Sequence, residues 1–215
     1  MKKFILIFLL TSIFKWGKSQ ILGIDVSKYQ ADIDWLKVDT SVKFVIAKKS
    51  EGLTIEDVKW CQNLLNCHRP FGLYHFFRPQ YSGVEQARKF LSGFNISEIQ
   101  IIPVIDIEWS KSWRITRSGI ENLQQMICFI RDSIGVWPII YTNNHFWNLL
   151  VCQRVELGEC KLWIADWRKT NTPEVPEDFN DWVMWQWTST GRITGIKGYV
   201  DLNWIKNLDD ILISK

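Results

Sequence analysis

Two carboxylates separated by one residue, Asp106 and Glu108, close the apolar run IIPVIDIEW from Ile101 to Trp109. The run is rich in β-branched residues. In a strand, residues i and i+2 face the same side, with Cα atoms about 6.6 Å apart at a rise of about 3.3 Å per residue. Two acids on one face repel, and each raises the proton affinity of the other. That arrangement is a cost to a strand built for stability alone. It is useful to an enzyme that must hold one protonated and one ionised carboxyl group near neutral pH. Further acids fall at or near the ends of other strand-like runs: Asp25 in LGIDVS, Glu51 in FVIAKKSEG and Asp201 in YVDLNW. Each also has a structural reading: turn capping for Asp25, a salt bridge with Lys48 or Lys49 for Glu51, and an N-terminal turn for Asp201.

The pattern predicts eight strands to position these acids: residues 22–27, 44–52, 71–77, 101–109, 138–144, 162–167, 183–189 and 199–204. Helical spacing of apolar residues runs from Glu56 to His68, and Pro70 follows as a stop. An S-x-x-E box at Ser82 and Glu85 opens a helix to about Phe94. A second, Ser118 and Glu121, lies in the first turns of a long helix to Ile134, with Gly135 where a C-terminal cap belongs. HFWNLL has room for a short helix. The rhythm then changes, because RKTNTPEVPEDFND carries Pro173 and Pro176 and no helical period. TGRITGIKG is too short for a helical crossover, so the strands it joins should run antiparallel. Five strands followed by helices and three joined by loops describe an α/β, TIM-like barrel with a reduced last third. The reduction lets about 196 residues close a barrel that typically takes about 250. Chemistry in such barrels sits at the C-terminal ends of the parallel strands, and the eighth strand must neighbour the first. His75, next to Tyr74, should face the other way.

The first residues have a basic start, Lys2 and Lys3, an apolar segment from Phe4 to Phe14, and small residues at Gly17 and Ser19. This is the layout of a secretory signal over residues 1–19, too short to cross a bilayer as a helix of about 20 residues. The expected working chain is one domain over residues 20–215, outside the cell or in the periplasm. Removing the segment takes away four lysines, so the formal charge of +3 becomes −1, with 22 basic residues against 23 acidic. No basic stripe suited to nucleic acid remains. Of 13 tryptophans, 12 follow residue 19, and such a surplus in an exported protein fits stacking on sugar rings as well as a core. Five cysteines leave at least one unpaired. Cys152 and Cys160 are the best candidate pair, Cys61 and Cys67 lie on different faces of one helix, and Cys128 reads as a small buried hydrophobe. No His and Cys cluster has zinc-ligand spacing, and no cofactor is expected.

The segments GIDVSKYQ, FVIAKKSEG, YHFFRP, PVIDIEW, the Tyr141 strand, LWIADW and WQWTSTGRITGIKGYVDLN together resemble glycoside hydrolase family 25, the lysozymes that cut the muramic acid linkage of peptidoglycan. They occur in family order from about residue 22 to 204. The resemblance implies a flattened barrel of five β/α units and three further strands, a monomer, and a peptidoglycan glycan strand as partner rather than a membrane. It places the family's acids on Asp25, Asp106, Glu108 and Asp201, with Glu108 as proton donor. Asp106 then either raises the pKa of Glu108 or orients the substrate's 2-acetamido group, and Asp25 competes as nucleophile or as stabiliser of the transition state. Tyr74, Tyr141, Trp167 and Gln186 match positions that line the cleft. Two departures stand out: Ala31 where a glycine is common, and Trp187 after the late W-Q pair where tyrosine is frequent. A family 18 chitinase would need acids where this chain has Ile101 and Val104, and a non-catalytic barrel could dispense with the four acids that are present.

Overall fold

The computed structural model describes residues 20–109 and 116–213, and the expected leader, residues 1–19, lies outside them. Eight strands close into a barrel: β1 (Ile21–Val26), β2 (Val42–Glu51), β4 (Phe71–Phe76), β5 (Val104–Asp106), β6 (Ile139–Thr142), β7 (Lys161–Ala165), β8 (Met184–Gly191) and β9 (Val200–Ile205). They run in the order β1-β9-β8-β7-β6-β5-β4-β2, and β1 pairs with β2 to complete the ring. Neighbours are parallel except that β9 runs antiparallel to both β8 and β1, as the short TGRITGIKG connection requires.

Strand alternation divides the apolar residues between two cores. Phe44, Ile46, Val104, Ile139, Trp163 and Met184 fill the barrel interior. Val45, Ala47, Leu73, Ile105 and Ile140 face outward onto a second core that includes Leu123, Met126, Ile127 and Ile130. The same alternation turns Asp25, Asp106, Gln186, Asp201 and Asn203 inward, each two residues from an interior position or in line with one. Gly23 shows how tightly the interior is filled: a Cβ there would lie 2.2 Å from the Phe44 ring.

Outside the barrel lie α1 (Trp60–Asn66), α2 (Gly83–Leu91), α3 (Arg117–Ile134) and α4 (Asn144–Leu150). No helix among the described residues is long and apolar enough to cross a membrane. Ser82 caps α2 by accepting from the Glu85 amide, and α3 ends at Gly135 with φ 72°, both as the spacing predicts. Backbones of α2 and α3 touch at Gly83, where a Cβ would meet the Asn122 carbonyl at 1.7 Å.

Several expectations are corrected. The first β/α unit holds a 3-10 turn, Lys28–Gln30, capped by Ser27, in place of an α-helix. Ile55–Glu56 forms a two-residue strand, β3, antiparallel to the end of β2, so the helix expected from Glu56 starts only at Trp60. Glu56 instead accepts from the Trp60 indole at 2.7 Å. Ser118 and Glu121 do lie in the first turns of α3, and the cap is Thr116, its hydroxyl accepting from the Gly119 amide at 3.0 Å. All five cysteines are free. Cys152 turns to Asp178 at 3.5 Å rather than to Cys160, and Cys128 is half-buried beside Gln124. The strand within IIPVIDIEW is short: Pro103 precedes it, and the regular strand ends at Asp106. Glu108 therefore lies two residues beyond the strand, where the chain opens toward solvent.

Candidate active site

A hollow of about 280 Å³ opens at the C-terminal ends of the parallel strands, and Asp25, Asp106, Glu108 and Asp201 all line it. Asp25 lies one residue before the end of β1 and pairs in register with Asp201. Asp201 is second in β9, so the reversed direction of that strand brings its beginning to the mouth. Glu51 is absent from the hollow. Lys48 donates to it at 2.6 Å and Arg78 forms a close ion pair with it.

Burial dominates the electrostatics. It pushes Asp106 well above the ordinary carboxylate range, with the neighbouring Glu108 charge adding to the effect. Burial also raises Glu108 to about 7, against the opposing pull of Lys48 and with a further push from Asp25. Asp201 rises to about 8 through burial and then through the charge of Asp25. Asp25 is raised by burial too, but hydrogen bonds from Asn203 and Gln186 favour its anion. Four carboxyl groups in so small a space cannot all be charged. Asp25, with donors directed at it, is the natural anion. Asp106 has the opposite environment: its Oδ1 is buried and has no hydrogen-bond partner among the described residues.

Two side-chain amides hold Asp25, and each is itself held. Gln186 Nε2 donates to Asp25 Oδ2 at 3.0 Å, and Asn203 Nδ2 donates to the same oxygen at 2.8 Å. The Gln186 oxygen accepts from Tyr141 and from the Trp167 indole, both at 3.0 Å. The Asn203 oxygen accepts from the Trp163 indole at 2.8 Å. These donors fix which way each amide points, so both NH₂ groups face the carboxylate. Gln186, expected to contact substrate, is thus committed at both ends to this support. Asn203 and Trp163 were not singled out from the sequence. The signal was available in strand alternation, since Asn203 is two residues from Asp201 in DLN and Trp163 occupies the inward position of LWIADW.

Tyr74 and Tyr141 both line the hollow. Burial, then the surrounding acids, keeps their phenols neutral far above pH 10. Trp167 is 57% exposed and stands at the rim. His75 points out of the barrel as expected, between Ser50 and Gln86, and burial drops its pKa to about 3. A second hollow of about 610 Å³ shares Glu108, Tyr141 and Trp167 with the first and continues past Asn143, His145 and Arg168. Glu108 stands where the two meet, so a chain-like ligand lying along both would pass over it.

A barrel with carboxyl groups of such unequal proton affinity gathered at its mouth defines a glycoside hydrolase. The chain belongs to glycosyl hydrolases family 25, whose family model matches residues 24–196. It is 31% identical over 201 residues to Lysozyme M1 of Streptomyces globisporus, covering 86% of this chain and 67% of that protein. Among solved structures it is similar to the bacterial lysozyme from Streptomyces coelicolor, with a TM-score of 0.79 and 28% identity over 90% of this chain and 95% of that one. A family 25 glycosyl hydrolase from Bacillus anthracis gives a TM-score of 0.75 and 27% identity, covering 88% and 90%. The family resemblance and barrel architecture expected from the motifs are borne out.

Proposed function

We propose that this glycoside hydrolase is a lysozyme that cuts peptidoglycan at the β-1,4 bond between N-acetylmuramic acid and N-acetylglucosamine. The observation that carries the reading is the convergence of four inward-facing acids on one hollow, with no cation paired to any of them among the described residues. Relatives named as lysozymes support the substrate class.

In this reading Glu108 is the general acid. Its pKa of about 7 lets it hold a proton at neutral pH, and its place where the two hollows meet supports a position beside the scissile oxygen. The unpartnered Oδ1 of Asp106 is an acceptor for the acetamide N–H of the sugar. That bond favours the Asp106 anion, whose charge then strengthens the hold of Glu108 on its proton. The oriented acetamide oxygen attacks the anomeric carbon as Glu108 protonates the leaving oxygen, a substrate-assisted route. Asp25, kept anionic by its two amides, stabilises the positive charge that develops on the ring, and Asp201 supports Asp25. Tyr74, Tyr141 and Trp167 form the walls. Residues 1–19 act as an export leader, and the working protein starts near Gln20.

The test is the chemical identity of the reducing end released from purified peptidoglycan. Muramic acid there supports the assignment, and glucosamine replaces it with a glucosaminidase. Binding of peptidoglycan without any released sugar would mark an inert module.

A further inference from the structure

Trp187, the aromatic that departs from the family's usual tyrosine, leads to a part of the surface that the acid site does not use. Its ring stacks on Trp204 of β9 with centroids 5.7 Å apart and planes 11° from parallel. Both rings are half-buried, resting on a separate, smaller cluster of Leu162, Ile164, Trp182 and Trp185. Together with Trp185 they line a hollow of about 530 Å³. The indole Nε1 of Trp187 is buried and has no hydrogen-bond partner among the described residues. On the rim of the same hollow stand Lys169, Thr170 and Asn171.

This hollow adjoins the cleft across Trp167. Trp167 lines it and lines both hollows of the acid site as well. The wall carrying Trp167 is pinned from both sides. Its indole donates to Gln186 beneath the acids, and the preceding Asp166 accepts from the Trp185 indole through its carbonyl at 2.8 Å. The Asp166 carboxylate holds the following loop through Arg168 Nε at 2.9 Å and the Glu174 amide at 3.0 Å. A stacked indole pair framed by polar side chains suits a pyranose ring, which has an apolar C–H face and an equatorial rim of hydroxyl and amide groups. A polymer whose scissile bond lies in the acid hollow must run on beyond it, and Trp167 marks one direction in which it can.

We infer that the hollow over Trp187 and Trp204 is a second glycan site, a platform that takes an N-acetylhexosamine ring of the polymer strand being cut. The inference rests on the peptidoglycan reading above. Its consequence is retention on the insoluble wall between cleavage events, because two contacts on one strand raise the effective concentration of the second.

The test uses the chain from Gln20 onward with Glu108→Gln, so that bound polymer is not consumed and the N-terminal segment cannot cover the platform. Co-sedimentation with purified peptidoglycan gives the affinity. Adding Trp204→Ala should weaken binding about tenfold, and Trp204→Phe should restore most of it. Crystals of the Glu108→Gln chain soaked with soluble strands of alternating N-acetylglucosamine and N-acetylmuramic acid should show a sugar ring over the Trp187 and Trp204 pair. That measurement decides the matter even if Trp204→Ala fails to fold. Unchanged affinity with sugar confined to the acid cleft overturns the platform and leaves the peptidoglycan reading standing. A concentration-dependent dimer abolished by Trp204→Ala would assign the face to a second copy of the chain and overturn the platform. Failure of the Glu108→Gln chain to bind peptidoglycan at all overturns both.

Discussion

Glu51 and Asp106 occupy equivalent places, at the C-terminal ends of β2 and β5 with one strand between them, yet their surroundings are opposite. Burial works against the charge of Glu51, but hydrogen bonds from Lys48 and Arg78 overcome it and hold the carboxyl below its ordinary pKa. Asp106 is buried with an acid as its neighbour and an oxygen that has no hydrogen-bond partner among the described residues. A strand-end carboxylate in a barrel is therefore not by itself a reactive group. What separates the two regions is whether a cation is paired directly with the carboxylate among the described residues, since Lys48 bonds Glu51 and acts on Asp106 and Glu108 only through its charge. The Glu51 cluster contributes stability, whereas the acid hollow keeps charges that the fold would be more stable without.

The largest effect should come from the acid hollow. Glu108→Gln should lower the rate of sugar release about a thousandfold, equivalent to about 4 kcal/mol, with the fold unchanged by circular dichroism. With Glu108 as the proposed general acid, its active form in the parent protein is the protonated one. Activity should therefore fall as pH rises through about 7, and a rate constant from about pH 6 to about pH 9 would remove Glu108 from that role.

The next effect belongs to the other region. Glu51→Gln leaves Lys48 partly buried without its counter-charge, removes one partner of Arg78, and should cost about 2 kcal/mol in denaturant melts. It also leaves Lys48 to act on Glu108 uncompensated, so the alkaline limb of the activity profile should move to lower pH. Unaltered stability would erase the contrast between the regions.

The smallest effect has the opposite sign. The pKa of Asp201 is raised from 3.8 to about 8, so the folded state binds more protons than the unfolded one between those values. The stability this linkage contributes is fully present below about pH 4 and is lost as pH rises through about 8. Asp201→Asn should accordingly raise stability by about 1 kcal/mol near pH 8 and give little gain near pH 4, measured by thermal melts at the two pH values. A destabilised amide variant near pH 8 would mean that the carboxylate is needed by the fold.

Much of this contrast was legible in the chain itself. Alternation in PVIDIEW put Asp106 and Glu108 on one face, LGIDVS put Asp25 near a strand end, and the short TGRITGIKG link implied the antiparallel strand that carries Asp201. Glu51 could be read either way, since FVIAKKSEG shows the nearby lysines but not Arg78, which arrives from the loop after β4. Ser118 and Thr116 both offer a hydroxyl near the start of α3, and only backbone geometry selects the earlier one. Cys152 and Cys160 are close in sequence, but Asp178, 26 residues away, claims the first of them. For Glu51 and Cys152 the deciding partner is distant along the chain, and local pattern carries no record of it.

The same distance governs when the molecule becomes competent. Asp25 comes from the first strand, while its two amide donors lie 161 and 178 residues later. Chains are made from the N-terminus at about 5–20 residues per second, so Asp25 exists for about 9–36 seconds before Asn203 has been synthesised. Until β9 inserts beside β1, Asp25 lacks its donors and Asp201 has not reached the mouth. In the proposed reading, cutting power is thus the last property the chain acquires, because a copy halted before Asn203 lacks one of the two donors to Asp25.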